Sequence, residues 1–269
     1  MLLDFQCLSI TQVKELLSSA DDKRQQEIIC LLEDDGRTGI RRLIKALKSG
    51  QQKAKQSEKE FNRLCSFELK LRSRGFIEIA GADEAGRGAF AGPLVAAAVV
   101  LPPRFYLPGL KESKQLTSRA RDEYYEIITD RALDWQIEVI SPTIIDQKGL
   151  HKANLYALEK AVLGLSATPD FVLIDGFALP GLKLPKTSLI RGDKLSISIA
   201  AASILAKVRR DRIMVSYSDQ FPQYGFEKHK GYGTKEHAQA LKIYGPSLIH
   251  RLTFKPVQEC LQLRLESEK

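Results

Sequence analysis

The chain has 269 residues, of which 43% are hydrophobic and 28% are charged, and its formal net charge is +8. This composition supports a packed globular core and excludes a globally disordered chain. No apolar run reaches the roughly 18 residues that a membrane helix needs, and Met1–Gln12 lacks the basic start of a secretory signal. We therefore expect a cytoplasmic protein that does not bind membranes.

Positive charge is concentrated at the two ends of the chain. The net charge is +4 over residues 1–75, −1 over residues 76–200 and +5 over residues 201–269. A near-neutral middle between basic ends fits an acidic metal site flanked by surfaces that attract phosphate. Ordinary solvated surface charge explains the same pattern equally well, so charge alone does not decide between them.

Residues 1–73 are predicted to form a small helical module. Ser9 or Thr11 can cap a first helix, Gly36 ends a second and Gly50 ends a third. A polar helix over residues 51–72 follows, and residues 37–74 form a strongly basic stretch with 12 basic residues and three glutamates. This module is either a solvated helical arm or an auxiliary nucleic-acid clamp, and the clamp predicts that deleting residues 1–70 weakens substrate binding.

Residues 74–258 are predicted to form an α/β domain with a mixed sheet, because strands alternate with helices. A helical C-terminal segment completes this domain, and residues 259–269 form a tail. The predicted strands are 76–82, 94–101, 135–140, 171–175 and 188–191, and the predicted helices include 119–133, 152–165 and 197–214.

Acidic residues stand at the ends of the most apolar predicted strands. Asp83 and Glu84 follow the first strand directly, and Asp175 ends another, at the sheet edge where open α/β folds bind ligands. Asp193 precedes a helix, so it is either a fourth member of the group or a helix cap. Carboxylates this close repel one another unless cations neutralise them, and hard oxygen ligands select Mg²⁺ or Mn²⁺.

The neighbouring pair Asp83 and Glu84 poses a geometric problem. Adjacent strand residues point to opposite faces, so both can serve one site only if the strand ends or bulges there. The glycines on either side of Arg87, Gly86 and Gly88, predict that break. They also let the backbone approach a phosphate or a sugar closely.

A series of motifs between about Phe76 and Val257 carries a specific resemblance to a known family. The motifs are Gly81–Gly88, Ala91–Pro93, Ser113–Lys114, Leu173–Gly176, Gly192–Asp193, Ile199–Asp211, Phe221–Phe226 and His229–Thr234. In this order they resemble bacterial ribonuclease HII. The sister type, ribonuclease HIII, usually has Lys where this chain has Arg87 and carries a β-containing N-terminal domain.

The resemblance implies an RNase H-like fold and a metal site for Mn²⁺ or Mg²⁺ made by Asp83, Glu84, Asp175 and Asp193. It implies hydrolysis of the RNA strand of RNA/DNA hybrids and incision 5′ of ribonucleotides embedded in duplex DNA. Two metal ions would assist the reaction, which leaves 3′-OH and 5′-phosphate ends.

The resemblance also implies how RNA is distinguished from DNA. The backbone of Gly86-Arg87-Gly88 would contact the ribonucleotide 2′-OH, the group that separates the two sugars. Tyr232 would pack on the deoxyribose beyond the RNA–DNA junction, although core packing is its alternative role.

Two lysines complete the predicted substrate site. Lys114 lies in a motif that departs from the family, which more often has Asp at the position of Glu112 and Lys at that of Gln115. Lys207 shares a helix flank with Arg210, and these two cations either contact phosphate or are solvated or paired with Asp211.

No cysteine or histidine is placed for a zinc site, a disulfide framework or covalent attack. We expect reduced thiols, histidines in structural or loop positions, and water as the nucleophile. His229 is the best candidate among the histidines for a phosphate contact. The residues are Cys7, Cys30, Cys65 and Cys260, and His151, His229, His237 and His250.

Two other functions remain open from the residues alone. A junction resolvase also uses an acidic tetrad but needs no 2′-OH-sensing loop. A non-catalytic hybrid-binding protein would not need the acids at all. We expect a monomer, and the C-terminal tail contains no convincing sliding-clamp peptide.

Overall fold

A computed structural model describes residues 8–110 and 113–267, so Cys7 and Glu112 lie outside the described part. The chain divides into two compact units, with the boundary between Glu60 and Phe61. No helix in the described ranges is long and apolar enough to cross a membrane. The cysteines within those ranges are free thiols: Cys30, Cys65 and Cys260.

The first unit is helical, as predicted. It contains α1 (Ile10–Ser19), α2 (Asp22–Leu31) and the first part of α3 (Thr38–Leu64). Ser9 caps α1 in a reciprocal capping box with Gln12. The buried core of this unit comprises Val13, Leu17, Ile28, Ile29, Leu32, Ile40 and Ile44.

Both predicted helix ends in this unit are wrong. The helix α2 ends at Leu31, before Gly36, and α3 continues through Gly50 to Leu64. A single glycine costs a helix only about 1 kcal/mol relative to alanine. The flanking helical residues outweigh that cost, so Gly50 does not end α3.

The second unit is built on a five-stranded mixed sheet. Its strands are β1 (Ile79–Ala85), β2 (Leu94–Val100), β3 (Asp134–Ile140), β4 (Phe171–Asp175) and β5 (Lys186–Leu189), and their order is β3-β2-β1-β4-β5. The strand β1 is parallel to β4 and antiparallel to β2, so the predicted mixed α/β sheet is confirmed.

Helices cover both faces of this sheet. The long helix α8 (Ile197–Gln220) packs on one face and α7 (Leu150–Leu163) on the other. A Cβ at Gly81 would lie 2.1 Å from the backbone carbon of Ser198, so α8 touches β1 without intervening side chains. The helices are α4 (Ser66–Arg72), α5 (Ser118–Arg131), α6 (Pro142–Lys148), α7 (Leu150–Leu163), α8 (Ile197–Gln220), α9 (Phe226–His229), α10 (Lys235–Tyr244) and α11 (Lys255–Ser267).

The helix α4 is anchored inside the second unit. The buried carboxylate of Glu68 accepts hydrogen bonds from the Ser196 hydroxyl and from the Ser198 backbone N–H at the start of α8. Contacts therefore group α4 with the second unit, although it falls within the helical module predicted over residues 1–73. The domain boundaries stay predictions.

The end of β1 differs from its prediction. The strand extends to Ala85, because Asp83 and Glu84 continue the antiparallel ladder opposite Ala97 and Ala96 of β2. These two acids are therefore strand residues, and the predicted strand end at Ala82 is wrong, whereas the break predicted at the glycines is present. The turn at Gly86, with φ of +97°, comes directly after the strand.

Candidate active site

A cavity of about 500 Å³ opens at the carboxyl ends of β1 and β4. All ten predicted site residues line it, although their roles stay predictions. They are Asp83, Glu84, Gly86, Arg87, Gly88, Lys114, Asp175, Asp193, Lys207 and Tyr232, joined by Ala85, Ser113, Phe177 and Ser203.

The cavity forms where β1 and β4 separate. Their parallel ladder ends at the pair Ala82 and Ile174, so Asp83 is the first β1 residue without a partner on β4. Asp83 lies on the α8 side near Ser203, and Glu84 lies on the α7 side near Asn154. Both acids reach one cavity from opposite faces because it occupies the open edge between the strands.

The turn that carries Asp193 is hydrogen-bonded to Asp175. The Gly192 N–H donates to Asp175 Oδ1 at 2.6 Å, and a Cβ at Gly192 would crowd that oxygen at 3.3 Å. The turn brings the buried Asp193 to the cavity. The alternative that Asp193 caps the following helix is wrong, because Ser196 is the cap of α8.

Burial and mutual repulsion raise the pKa values of the central carboxylates. Burial raises the pKa of Asp83 well above its usual range, and the charges of Glu84 and Asp175 add to this rise. Burial also raises the pKa of Glu84 to about 7, although the cation of Arg87 opposes this shift. Arg87 Nε lies 3.8 Å from Glu84 Oε1, and its guanidinium stacks 4.4 Å from the Phe177 ring centroid.

The chemistry of these residues fits a divalent cation. Carboxylate oxygens are the preferred donors for Mg²⁺ and Mn²⁺, and Glu84 Oε2 is buried without a hydrogen-bond partner. A cation would lower the raised pKa values of Asp83 and Glu84. In the described ranges, no three carboxylate, imidazole or thiol groups converge closely enough to hold a metal ion as they stand.

Comparison with known proteins decides the family. The family model "Ribonuclease HII" matches residues 80–257, and "Ribonuclease HII N-terminal domain" matches residues 9–72. The chain belongs to the ribonuclease HII family. It is therefore a ribonuclease H enzyme, as the motifs implied.

Individual relatives agree with this assignment. Ribonuclease HII of Bacillus subtilis is 43% identical over 93% of this chain and 98% of its own length. The ribonuclease H2 structure from Pyrococcus horikoshii has a TM-score of 0.61 and 25% identity, covering 70% of this chain and 98% of that one. Bst-RNase HIII, solved in complex with Mn²⁺, shares the fold at a TM-score of 0.54 and 20% identity, covering 70% of each chain.

The Gly86–Gly88 turn presents its backbone to the cavity. Among the described residues, the N–H groups of Arg87 and Gly88 have no hydrogen-bond partner. The carbonyl of Arg87 accepts from Arg251 Nη1 at 2.9 Å, which fixes the peptide orientation. A Cβ at Gly88 would meet nothing within 4 Å, so this side of the turn is open.

The segment that carries Lys114 is held from two sides. The hydroxyls of Ser113 and Ser203 lie 2.9 Å apart. Arg121 Nη1 donates to the carbonyls of Ser113 and Leu116 at 3.1 and 2.7 Å. Sequence reasoning missed Ser203 as a lining residue, although its place in a run of small residues on α8 was a usable signal.

The two cations on the flank of α8 have different environments. Lys207 Nζ pairs with Asp211 at 2.7 Å and lies 5.4 Å from the Tyr232 ring centroid. Arg210 is fully buried and donates to backbone carbonyls, so neither its predicted phosphate contact nor its predicted solvation or pairing with Asp211 is correct.

The four histidines differ in burial and in hydrogen-bond partners. His237 and His250 are buried structural residues, as expected, and His151 packs against Phe177 with ring centroids 6.2 Å apart. His229 is held by the loop itself, through the Tyr224 carbonyl at 2.8 Å and the Gly231 N–H at 3.2 Å. Both of its ring nitrogens are therefore engaged, and its predicted phosphate contact has no support from this geometry.

Proposed function

We propose that this chain hydrolyses the RNA strand of RNA/DNA hybrids and incises 5′ of ribonucleotides embedded in duplex DNA. It would act as a monomer in the cytoplasm and leave 3′-OH and 5′-phosphate ends. One observation carries this proposal. The cavity that collects four carboxylates also contains the open Gly86–Gly88 turn and Tyr232.

The carboxylates of Asp83, Glu84, Asp175 and Asp193 would hold two Mn²⁺ or Mg²⁺ ions. When bound, such ions stabilise charge on the phosphoryl oxygens and lower the pKa of water. Attack of water on phosphorus breaks the bond to the 3′ oxygen of the preceding nucleotide, and that oxygen takes up a proton. The Mn²⁺ complex of the fold relative Bst-RNase HIII supports this choice of ion.

The protein's own groups orient the substrate. The exposed Lys114 and the half-buried Lys207 place positive charge beside the acids, where they can hold backbone phosphates. The unpartnered N–H groups of Arg87 and Gly88 can contact a ribose hydroxyl. The Tyr232 ring offers an apolar surface to a sugar that lacks that hydroxyl.

The proposal is tested on a labelled DNA duplex with one embedded ribonucleotide, incubated with Mg²⁺, Mn²⁺ or EDTA beside an all-DNA control. We expect a metal-dependent cut 5′ of the ribonucleotide and none in the control. A long RNA/DNA hybrid is tested in parallel. If the protein cuts this hybrid but not the duplex with one ribonucleotide, its specificity resembles that of ribonuclease HIII. If the protein cuts neither the ribonucleotide duplex nor the long hybrid, the result favours a non-catalytic hybrid-binding protein.

A further inference from the structure

Two arginines of the second unit are fully buried. Arg210 on α8 and Arg251 before α11 have no exposed surface. Within the described ranges, no carboxylate lies at ion-pair distance from either guanidinium. A buried charge without a counter-charge is costly unless hydrogen bonds compensate for it. Both guanidinium groups therefore need hydrogen-bond acceptors inside the protein.

Those acceptors all lie in one loop, residues 86–93, which joins β1 to β2. Arg210 donates through Nε to the Pro93 carbonyl at 3.0 Å and through Nη2 to the Ala91 carbonyl at 3.2 Å. Arg251 donates through Nε to the Gly92 carbonyl at 3.0 Å and through Nη1 to the Arg87 carbonyl at 2.9 Å. Two guanidinium groups thus hold four carbonyls of a single loop.

The same loop is tied to the segment that carries Tyr232. The Phe90 N–H donates to the Gly231 carbonyl at 2.9 Å, and Ala89 forms an isolated β-bridge with Tyr232. The N–H of Arg251 donates to the Phe90 carbonyl at 2.8 Å, so the backbone of that arginine also joins the assembly. The turn and Tyr232 are therefore parts of one hydrogen-bonded unit.

Arg210 contacts both parts of this unit. Its Cζ lies 4.9 Å from the Tyr232 ring centroid, within the range of a cation–π contact. Its side chain also occupies the space beside Gly86, where a Cβ would lie 2.1 Å from Arg210 Nε. One buried side chain thus separates the turn from the tyrosine and fixes their spacing.

We propose that Arg210 and Arg251 are positioning residues that set the Gly86–Gly88 turn and Tyr232 at the spacing needed to recognise an RNA–DNA junction. The inference rests on the proposed function. A lysine at either position keeps the charge but lacks the planar fork that reaches two carbonyls at once. Arg→Lys substitution therefore separates the hydrogen-bond geometry from the charge.

The test uses Arg210→Lys and Arg251→Lys in the full-length protein, with Arg209→Lys as the matched control. Arg209 is the exposed neighbour on the same helix. The substrate is a DNA duplex with four consecutive ribonucleotides in one strand, and the readout is the fraction of cuts at each phosphodiester. This distribution is a ratio within one sample, so a reduced folded fraction alone does not change it.

We expect the wild type and Arg209→Lys to share one preferred cut position. In Arg210→Lys and Arg251→Lys, cuts should spread to neighbouring positions, and kcat/KM should fall about 10- to 100-fold, the scale of a 1 Å misplacement. An unchanged distribution in both variants would overturn the proposal. If the wild type cuts no ribonucleotide substrate, the proposed function itself fails, and this result is distinct from the first.

A measurement on the wild type covers the case in which both variants fail to fold. Hydrogen–deuterium exchange at the amides of residues 89–92 should be as slow as that of β1, because these four N–H groups donate to the carbonyls of Gly86, Gly231 and Ile249. Exchange on the timescale of exposed loops would show that the loop is not fixed, and would overturn the proposal.

Discussion

His237 Nε2 lies 3.0 Å from His250 Nε2, and both imidazoles are buried. The backbone determines which nitrogen carries the proton. His237 Nδ1 faces the Tyr232 carbonyl at 3.0 Å and must donate, so the Nε2 of the same neutral ring accepts. His250 Nε2 is then the donor, and its Nδ1 accepts the Ser247 N–H at 2.9 Å. Both rings are neutral, and each ring nitrogen has a partner.

This pair predicts a contribution to stability that is lost as the pH falls below neutrality, opposite in sign to that of Asp83 and Glu84, whose raised pKa values make the folded state bind more protons there. Burial lowers the pKa of His237 to about 4, and burial together with the neighbouring His237 lowers that of His250 to about 3. Both values lie below the roughly 6.5 of an unfolded chain, so the unfolded state binds more protons between pH ~6.5 and ~4. Each histidine should lower the free energy of unfolding by up to about 1.4 kcal/mol per pH unit. Urea unfolding at several pH values measures this slope.

The contribution of the pair is isolated by comparing variants. His250→Gln removes one titrating ring, so the dependence of stability on pH should become shallower than in the wild type. His151→Gln, at an exposed position, should leave the dependence unchanged. Equal slopes for the wild type and His250→Gln would contradict the assignment of the buried pair as the source.

Substitution of Asp83 by Asn is expected to abolish cleavage while stabilising the metal-free protein. Asp83 is buried beside Glu84 and Asp175, so removing its charge relieves repulsion. Cleavage of the ribonucleotide duplex should fall more than about 100-fold, the scale of losing one preorganised electrostatic contact. The midpoint of thermal unfolding in EDTA should rise. The exposed Asp130→Asn is the control, and retained cleavage in Asp83→Asn would remove this residue from the active site.

Much of the site was predictable because its residues are contiguous in sequence. The run Asp83–Gly88 contains two acids and both turn glycines, and the apolar strand ending at Asp175 has a clear composition signal. The end of β1 was not predictable in the same way. It depends on pairing with Ala96 and Ala97 of β2, which leave room for the carboxylates. Local propensity contains no information about that partner strand.

The buried arginines show a second limit of sequence reasoning. The atoms that Arg210 and Arg251 hold belong to the backbone of a loop more than 100 residues earlier. Any residue type supplies such a carbonyl, so no side-chain pattern marks the contact. From its sequence neighbours, Arg210 therefore resembled a solvated charge on a helix. Only the folded chain shows that it is buried.

Binding of Mn²⁺ should weaken as the pH falls through neutrality. The raised pKa of Glu84, about 7, means that this carboxyl is largely protonated at pH 6 and must lose its proton to bind a cation. We expect affinity about tenfold lower at pH 6 than at pH 8, because the ionised fraction changes by that factor. Calorimetric titration of the full-length protein measures both affinities. Equal values at the two pH values would show that Glu84 is ionised throughout.

Asn154 on α7 should lower the pKa of the Glu84 carboxyl. Its amide is buried near Glu84 and favours the charged carboxylate, although neither amide atom makes a hydrogen bond of normal geometry. Asn154→Leu keeps a similar volume and removes this dipole, so the pKa of Glu84 should rise further. The loss of Mn²⁺ affinity between pH 8 and pH 6 should then begin at a higher pH. Asn62→Leu, at an exposed position, should behave as the wild type does.

Lysines on α3 are expected to account for part of the salt dependence of substrate binding. Lys55 and Lys59 are four residues apart on one helix face, are exposed, and line a shallow groove with Gln52 and Gln56. If both contact phosphates, the double substitution Lys55→Gln/Lys59→Gln should reduce the slope of log K against log salt by about 1 to 2. Fluorescence anisotropy with a labelled duplex at several salt concentrations gives this slope.

This double variant is a sharper test of the N-terminal module than the deletion of residues 1–70. The deletion would also remove Glu68, whose carboxylate holds the start of α8, so weaker binding could come from a disturbed active site. Lys14→Gln/Lys23→Gln removes equal charge from exposed positions on α1 and α2. If both double variants reduce the slope equally, the effect is one of net charge. If neither does, the module makes no phosphate contact through these lysines, and its role is structural.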